Sequence, residues 1–175
     1  MRRPTYRSPA IFCLLLAAAQ SAFAQTGAED RAVAAFSKLR VQNGIDVYLT
    51  QAERPSLRIE VDNYDLTDVL SEVEDGELRL SLRRTPDWSL FSHREISAHV
   101  SFVELSAIAA AGGSDIESEN AMRVEDLTVT AAGGSDVDLQ VAGRNLEFSV
   151  SGGSDIDLDV QADSLVIKAL QQHWG

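Results

Sequence analysis

The 175-residue sequence has one cysteine, Cys13, and it lies in a short apolar run near the N-terminus. With no second cysteine there is no internal disulfide, so stability must come from a packed core or a repetitive backbone ladder. Basic residues are scarce. Fifteen Lys and Arg face 27 Asp and Glu, for a formal net charge of −12. Such a surface repels nucleic acid and anionic lipid, and attracts cations and basic partners. It is also what solubility outside a cell asks for. Beyond Ile11–Ala19 no apolar run approaches bilayer-spanning length, so no transmembrane segment is expected in the remaining chain. There is no Ser-centred nucleophile elbow and no phosphate-binding glycine loop. His93, His99 and His173 are scattered without metal-ligand spacing.

What the N-terminus does have is a targeting pattern. Arg2, Arg3 and Arg7 precede the run "IFCLLLAAA", and Ala22-Phe23-Ala24 fits the small-x-small cleavage rule. Residues 1–24 are therefore expected to be a signal peptide, cut before Gln25. Cys13 lacks the small residues that would precede a lipid-attachment cysteine. Export is implied: periplasmic, outer-membrane-associated or secreted. Cleavage removes three arginines and no acids, leaving twelve basic residues against 27 acidic ones, a net charge of −15. Residues 25–35 read as a flexible N-terminal segment and 36–175 as one domain.

The repeat is the strongest signal. Gly-Gly-Ser-Asp occurs at Gly112–Asp115, Gly133–Asp136 and Gly152–Asp155. Strand-like segments accompany it: "LTVTA" from Leu127, "LEFSV" from Leu146 and "LVIKA" from Leu165, each 19 residues after the last. Apolar residues alternate within them, and again after each Asp. Period two means strands with one buried face. The glycines supply corners, and "AGRN" (Ala142–Asn145) and "QADS" (Gln161–Ser164) read as second corners. A self-similar period near twenty predicts coils stacked in parallel, with equivalent residues forming columns about 4.8 Å apart. The fold class expected is all-β, a parallel β-helix or β-solenoid, with irregular N-terminal strands and regular coils over about 105–175. An up-and-down antiparallel sheet is the rival. The coil from Leu105 to Asp126 is two residues longer, with its excess in "ESENAMRVED". Upstream the pattern fades. "GIDVYLTQ" (Gly44–Gln51) reads as a degenerate copy of "GSDVDLQV", and "LRIEVD", "GELRLSL" and "ISAHVSF" alternate. "NYDLTDVLSEVEDG" holds a short helical turn before an Asp75-Gly76 corner. This half is expected to form wider coils or a capping sheet. Gln171–Gly175 departs from the register, either as a cap involving Trp174 or because the chain stops short.

On these residues the chain resembles the family called putative autotransporter adhesin, head GIN domain. The features are the exported precursor, "LRVQNGIDVYLTQ", "VEDGELRLSL", "VELSAIAAAGGSD" and the serial Gly-Gly-Ser-Asp units. The likeness runs from about Phe36 to Ala169. It implies a right-handed β-helix-like fold, export and a role in adhesion, and transfers no catalytic residue.

Alternation turns Asp136 and Asp138 outward, with Asp155 and Asp157 one coil on and Asp115 with Glu117 one coil before. Two acidic columns on one face follow. Neighbouring charges repel by about 0.9 kcal/mol per pair at full water dielectric, so the columns are either well solvated or neutralised by cations. Calcium, a hard ion, suits carboxylates, which makes Asp115, Asp136, Asp138, Asp155 and Asp157 candidate metal ligands. The local alternative is that Ser and Asp hydrogen-bond the turn backbone, making Gly112, Gly113, Ser114, Gly133, Gly134, Ser135, Gly152, Gly153 and Ser154 a structural turn motif. Trp88 and Phe91, in "TPDWSLFSH", either bind sugars or partners or fold over an open core end. The leading functional reading is a non-enzymatic adhesin-like or envelope-associated binding module for an unidentified protein or glycan partner. A pectin-lyase-type enzyme and a cation-stabilised structural protein are the alternatives. A groove mixing acids with an arginine and lined by loops of unequal length would favour the enzyme, and a flat uninterrupted acidic face would favour binding or structure.

Overall fold

The computed structural model describes residues 26–83 and 94–170. The expected signal peptide, the stretch with Trp88, Phe91 and His93, and the C-terminal stretch with His173 and Trp174 lie outside the described residues. Those described form an all-β structure: one open, curled sheet of 13 strands. The strands are β1 (Gly27–Arg31), β2 (Lys38–Gln42), β3 (Asp46–Gln51), β4 (Ser56–Asp62), β5 (Val69–Glu74), β6 (Glu77–Leu82), β7 (Glu95–Phe102), β8 (Ala107–Ala111), β9 (Ile116–Ser118), β10 (Met122–Arg123), β11 (Asp126–Ala132), β12 (Val137–Ser151) and β13 (Ile156–Leu170). A single 3-10 turn, Leu66–Asp68, interrupts them where the sequence predicts a helical turn. It is capped by Asp65, whose carboxylate accepts from the Thr67 amide.

Within the repeats every pairing is parallel. β8, β11, the second half of β12 and the second half of β13 lie side by side, with Ile108, Val129, Phe148 and Ile167 in one row. β9 and the first halves of β12 and β13 form a second run, with Ile116, Val137 and Ile156 in one row. The offsets match the sequence period. β2 and β3 continue these runs downward, and Val47 pairs with Ile116. "GIDVYLTQ" thus occupies the place of a repeat. Between the runs the inward residues make one buried cluster. Leu39, Val41, Ile108, Val129, Leu139 and Phe148 are each 0–1% exposed. Each such side chain contributes about 1.5–3 kcal/mol by leaving water.

Two expectations meet a different structure. Within the segment 25–35, expected to be flexible, Gly27–Arg31 form β1, which pairs antiparallel with β4 along its whole length. The second corners are not breaks: β12 and β13 run on through Gly143 and Ala162 with their pairing kept. Gly143 permits this because a Cβ there would meet Leu146 at 2.8 Å and Val124 at 3.0 Å. The lower half, expected as wider coils or a capping sheet, mixes strand directions. β4 pairs antiparallel with β7 and β5 antiparallel with β6, the latter through an Asp75-Gly76 turn with both residues at positive φ.

Candidate functional site

The corners between the runs form a single file. In each, both glycines hold left-handed φ, from 68° to 79°. They are required for different reasons. A Cβ on Gly133 would stand 3.3 Å from the Gly112 amide nitrogen, and one on Gly152 would stand 3.1 Å from that of Gly133. The second glycines, such as Gly134, have nothing within 4 Å and are needed only for their φ. Beneath them Asn43 (φ 72°) and Gly44 (φ 74°) repeat the same backbone. "NGID" at Asn43–Asp46 is therefore a fourth corner, with Ile45 where the others have serine.

The serines and aspartates lock the file in opposite directions. Ser114, Ser135 and Ser154 are buried. Ser114 Oγ accepts from the Gly44 and Ile45 amides at 3.0 and 3.2 Å. Ser135 Oγ accepts from Ser114 N at 3.1 Å, and Ser154 Oγ from Gly134 and Ser135 N at 3.1 and 3.0 Å. Each hydroxyl reaches down one level. Each carboxylate reaches up: Asp115 Oδ1 accepts from Asp136 N at 3.1 Å, and Asp136 Oδ1 from Asp155 N at 3.3 Å. These bonds go to the backbone of the neighbouring repeat. Losing a serine acceptor leaves a buried amide unpaired, a cost of about 1–3 kcal/mol.

The outward side chains next to this file make an acidic face. Asp138 stands opposite Glu117 and Asp157 opposite Asp138, and Tyr48 continues the row below Glu117. Asp46, Asp115, Asp136 and Asp155 border it, and together these residues line a groove of about 410 Å³ with no basic side chain. Tyr48 stacks on His99 across the β3–β7 pair, with ring centroids 5.1 Å apart and planes 19° from parallel. His99 faces outward, as the alternation of "ISAHVSF" predicts. Burial, then the charge of Asp115, pushes the Asp46 carboxyl above its usual range, partly offset by a hydrogen bond from the Asp115 backbone. Burial and the charges of Asp46 and Glu117 raise the Tyr48 phenol. The structure thus brings Asp115, Asp136, Asp138, Asp155 and Asp157 onto one face. Among the described residues no three Asp, Glu, His or Cys side chains converge where one metal ion would sit.

Sequence reasoning missed Asp46 and Tyr48 as members of this face. The signal was available in the match of "NGID" to "GGSD". It also missed a second groove, of about 450 Å³, beside the two-residue excess of the first repeat, where Glu104, Arg123, Glu125 and Asp126 come together.

The fold and the corner file define an all-β protein of serially stacked strands. The family described as putative auto-transporter adhesin, head GIN domain, matches residues 35–171, and the chain belongs to it. Similar crystal structures include a putative adhesin from Parabacteroides merdae, with 19% identity and a TM-score of 0.72, covering 81% of this chain and 59% of that one. A putative lipid binding protein from Parabacteroides distasonis has 18% identity and a TM-score of 0.70, covering 82% and 62%. A putative adhesin from Bacteroides fragilis has 15% identity and a TM-score of 0.57, covering 83% and 97%. The chain spans about three-fifths of the length of the first two. At these identities the likeness concerns the fold. A search of curated proteins finds no match.

Proposed function

We propose that this protein is an exported, non-enzymatic binding module, a solenoid of right-handed coils whose acidic face docks a cationic patch on another protein of the cell surface or envelope. One observation carries the reading. Glu117, Asp138 and Asp157 stand in register on three successive strands, in a groove that contains no neutralising base. Like charges held this close raise the field above the face. A partner that brings cations relieves their mutual repulsion, and association is then fast and sensitive to salt. Membership in the adhesin family agrees with a binding role and with an extracellular or envelope location. Among the described residues no helix is long and apolar enough to cross a membrane.

The test is binding to a lysine-rich peptide, a glycan array and envelope extracts, followed by neutralisation of the face with Glu117→Gln, Asp138→Asn and Asp157→Asn together. These three leave the corner file intact. Binding to the peptide and to an envelope protein should fall about tenfold or more and weaken with salt. An unchanged affinity would remove the face from the reading, and a response to neutral glycans alone would replace it. The calcium expectation belongs to the same face: a melting midpoint equal in calcium and in chelator ends it.

The second groove favours the enzyme reading, since it mixes acids with an arginine. Incubation with polygalacturonate decides this, because lyase action produces an unsaturated, ultraviolet-absorbing product. A flat trace leaves the binding reading in place.

A further inference from the structure

The irregular repeat carries a device of its own. Ile116 pairs with Val137, 21 residues on, while Met122 pairs with Val141, 19 residues on, so two extra residues are taken up between β9 and β10. That bulge is fastened by two side-chain amides. Asn120 grips the backbone of Gln51 from both sides: Oδ1 accepts from its amide at 2.9 Å and Nδ2 donates to its carbonyl at 3.1 Å. Gln51 in turn grips Arg123. Its Oε1 accepts from the Arg123 amide at 2.7 Å, and its Nε2 donates to the Arg123 and Val103 carbonyls at 2.9 and 3.1 Å. One amide therefore fixes the distance between two stretches of backbone. One carries Arg123 and the other carries Glu104, next to Val103.

Both of those side chains line the second groove. Both are exposed, and among the described residues neither makes an ion pair or side-chain hydrogen bond. The other two acids there are engaged: Asp126 accepts from Asn145 Nδ2 at 2.6 Å, and Glu125 lies 3.8 Å from Arg144. A free guanidinium and a free carboxylate thus share one groove, do not pair with each other, and rise from backbone segments tied together by one amide. Preorganisation of this kind belongs to ligand sites, where the supporting shell holds the contact groups. The groove is also of small-molecule size.

We propose that this groove binds a small zwitterion. Its carboxylate takes the planar fork of Arg123 and its ammonium takes Glu104. A plain anion is disfavoured by the acidity of the chain. A plain cation leaves Arg123 unanswered and has a better seat on the acidic face. Gln51 and Asn120 act as positioning residues.

The experiment is calorimetric titration of the full chain with a series of amino acids of growing charge separation: glycine, aminobutyrate and aminohexanoate. Hexylamine and hexanoate serve as single-charge controls. One separation should bind best, with both controls about tenfold weaker or more. Arg123→Ala and Glu104→Gln, both at exposed positions, should each weaken that ligand about fivefold. Gln51→Met should broaden the length preference, which a purely structural role would not do. Equal binding of the zwitterion and hexylamine, affinity unchanged in Arg123→Ala, or no heat across the series would each overturn the proposal.

Discussion

At the lower end of the sheet, β1 lies antiparallel on β4 and β5 antiparallel on β6. Their edges carry Glu29, Asp30, Glu72 and Glu74. Arg31 ties the end together, its guanidinium donating to the Val69 and Leu66 carbonyls at 2.7 and 2.9 Å and to Ser71 Oγ at 3.0 Å. At the upper end, β13 presents Leu165, Val166 and Ile167 at 47%, 42% and 59% exposure, although Leu146 and Phe148, one level down, are 2% and 0% exposed. Charge and reversed strand direction stop one edge from recruiting further strands. The other edge repeats the pattern of the strands beneath it. A repeat has no end of its own, so an end must be built from non-repeating sequence, as it is at the lower end.

The sharpest way to break this comparison uses two residues of one row. Phe148→Ala removes a fully buried ring and should cost about 3–5 kcal/mol. Ile167→Ala, its next neighbour upward, should cost under about 1 kcal/mol, because much of its surface is already in water. Urea unfolding midpoints read both. Equal losses would mean that the upper edge is covered as the core is.

The same contrast explains what could be read from sequence. The repeats were legible because each level is specified twice, by the alternation of Leu127, Val129 and Ala131 and by the glycine corner that follows. The three Gly-Gly-Ser-Asp sites share one file as expected. The lower strands alternate just as well, but alternation sets which face is buried and says nothing of strand direction. β4 therefore gave no warning that it would pair antiparallel with β7. The reach of the corner side chains was hidden too. Ser114 bonds Gly44 and Ile45, 70 and 69 residues away, which no local turn rule anticipates. Arg123 stands in an acidic stretch of sequence. Its setting depends on Gln51, 72 residues earlier.

Arg31→Ala tests the lower end. It removes charged hydrogen bonds to part-buried carbonyls and should cost about 2 kcal/mol. Hydrogen exchange should quicken in β1 and the turn near Leu66 and stay unchanged in β11–β13. Quickening spread evenly over the molecule would show that the lower end is not a separate closure.

Within the repeats, the two corner glycines should separate. Gly153→Asn places a side chain in open space at a φ that Asn43 also adopts, and should cost less than about 1 kcal/mol. Gly152→Asn adds a contact with the Gly133 amide to a similar backbone demand, and should cost about 1–2 kcal/mol more. Thermal midpoints of the two variants give the order. The reverse order would mean that φ, rather than the close approach of levels, selects the first glycine.

The smallest effect expected is electrostatic, and it sits where the two ends meet. Asp46 belongs to the lowest corner yet borders the acidic face of the repeats. Burial and the charge of Asp115, and more weakly of Glu95, raise its folded pKa above the ordinary value of 3.8. The folded state then holds a proton that the unfolded state has lost. Through that window stability falls as pH rises, from the ordinary value up to the raised one. Above it, the charged Asp46 destabilises the fold by a constant amount. Below the ordinary value the penalty is absent. Asp46→Asn should therefore raise the unfolding midpoint slightly at neutral pH, and the gain should vanish in acid below the ordinary carboxylate range. A gain that persists there would locate the effect in packing or hydrogen bonding. A loss at neutral pH would mean that the hydrogen bond from the Asp115 backbone outweighs burial and repulsion together.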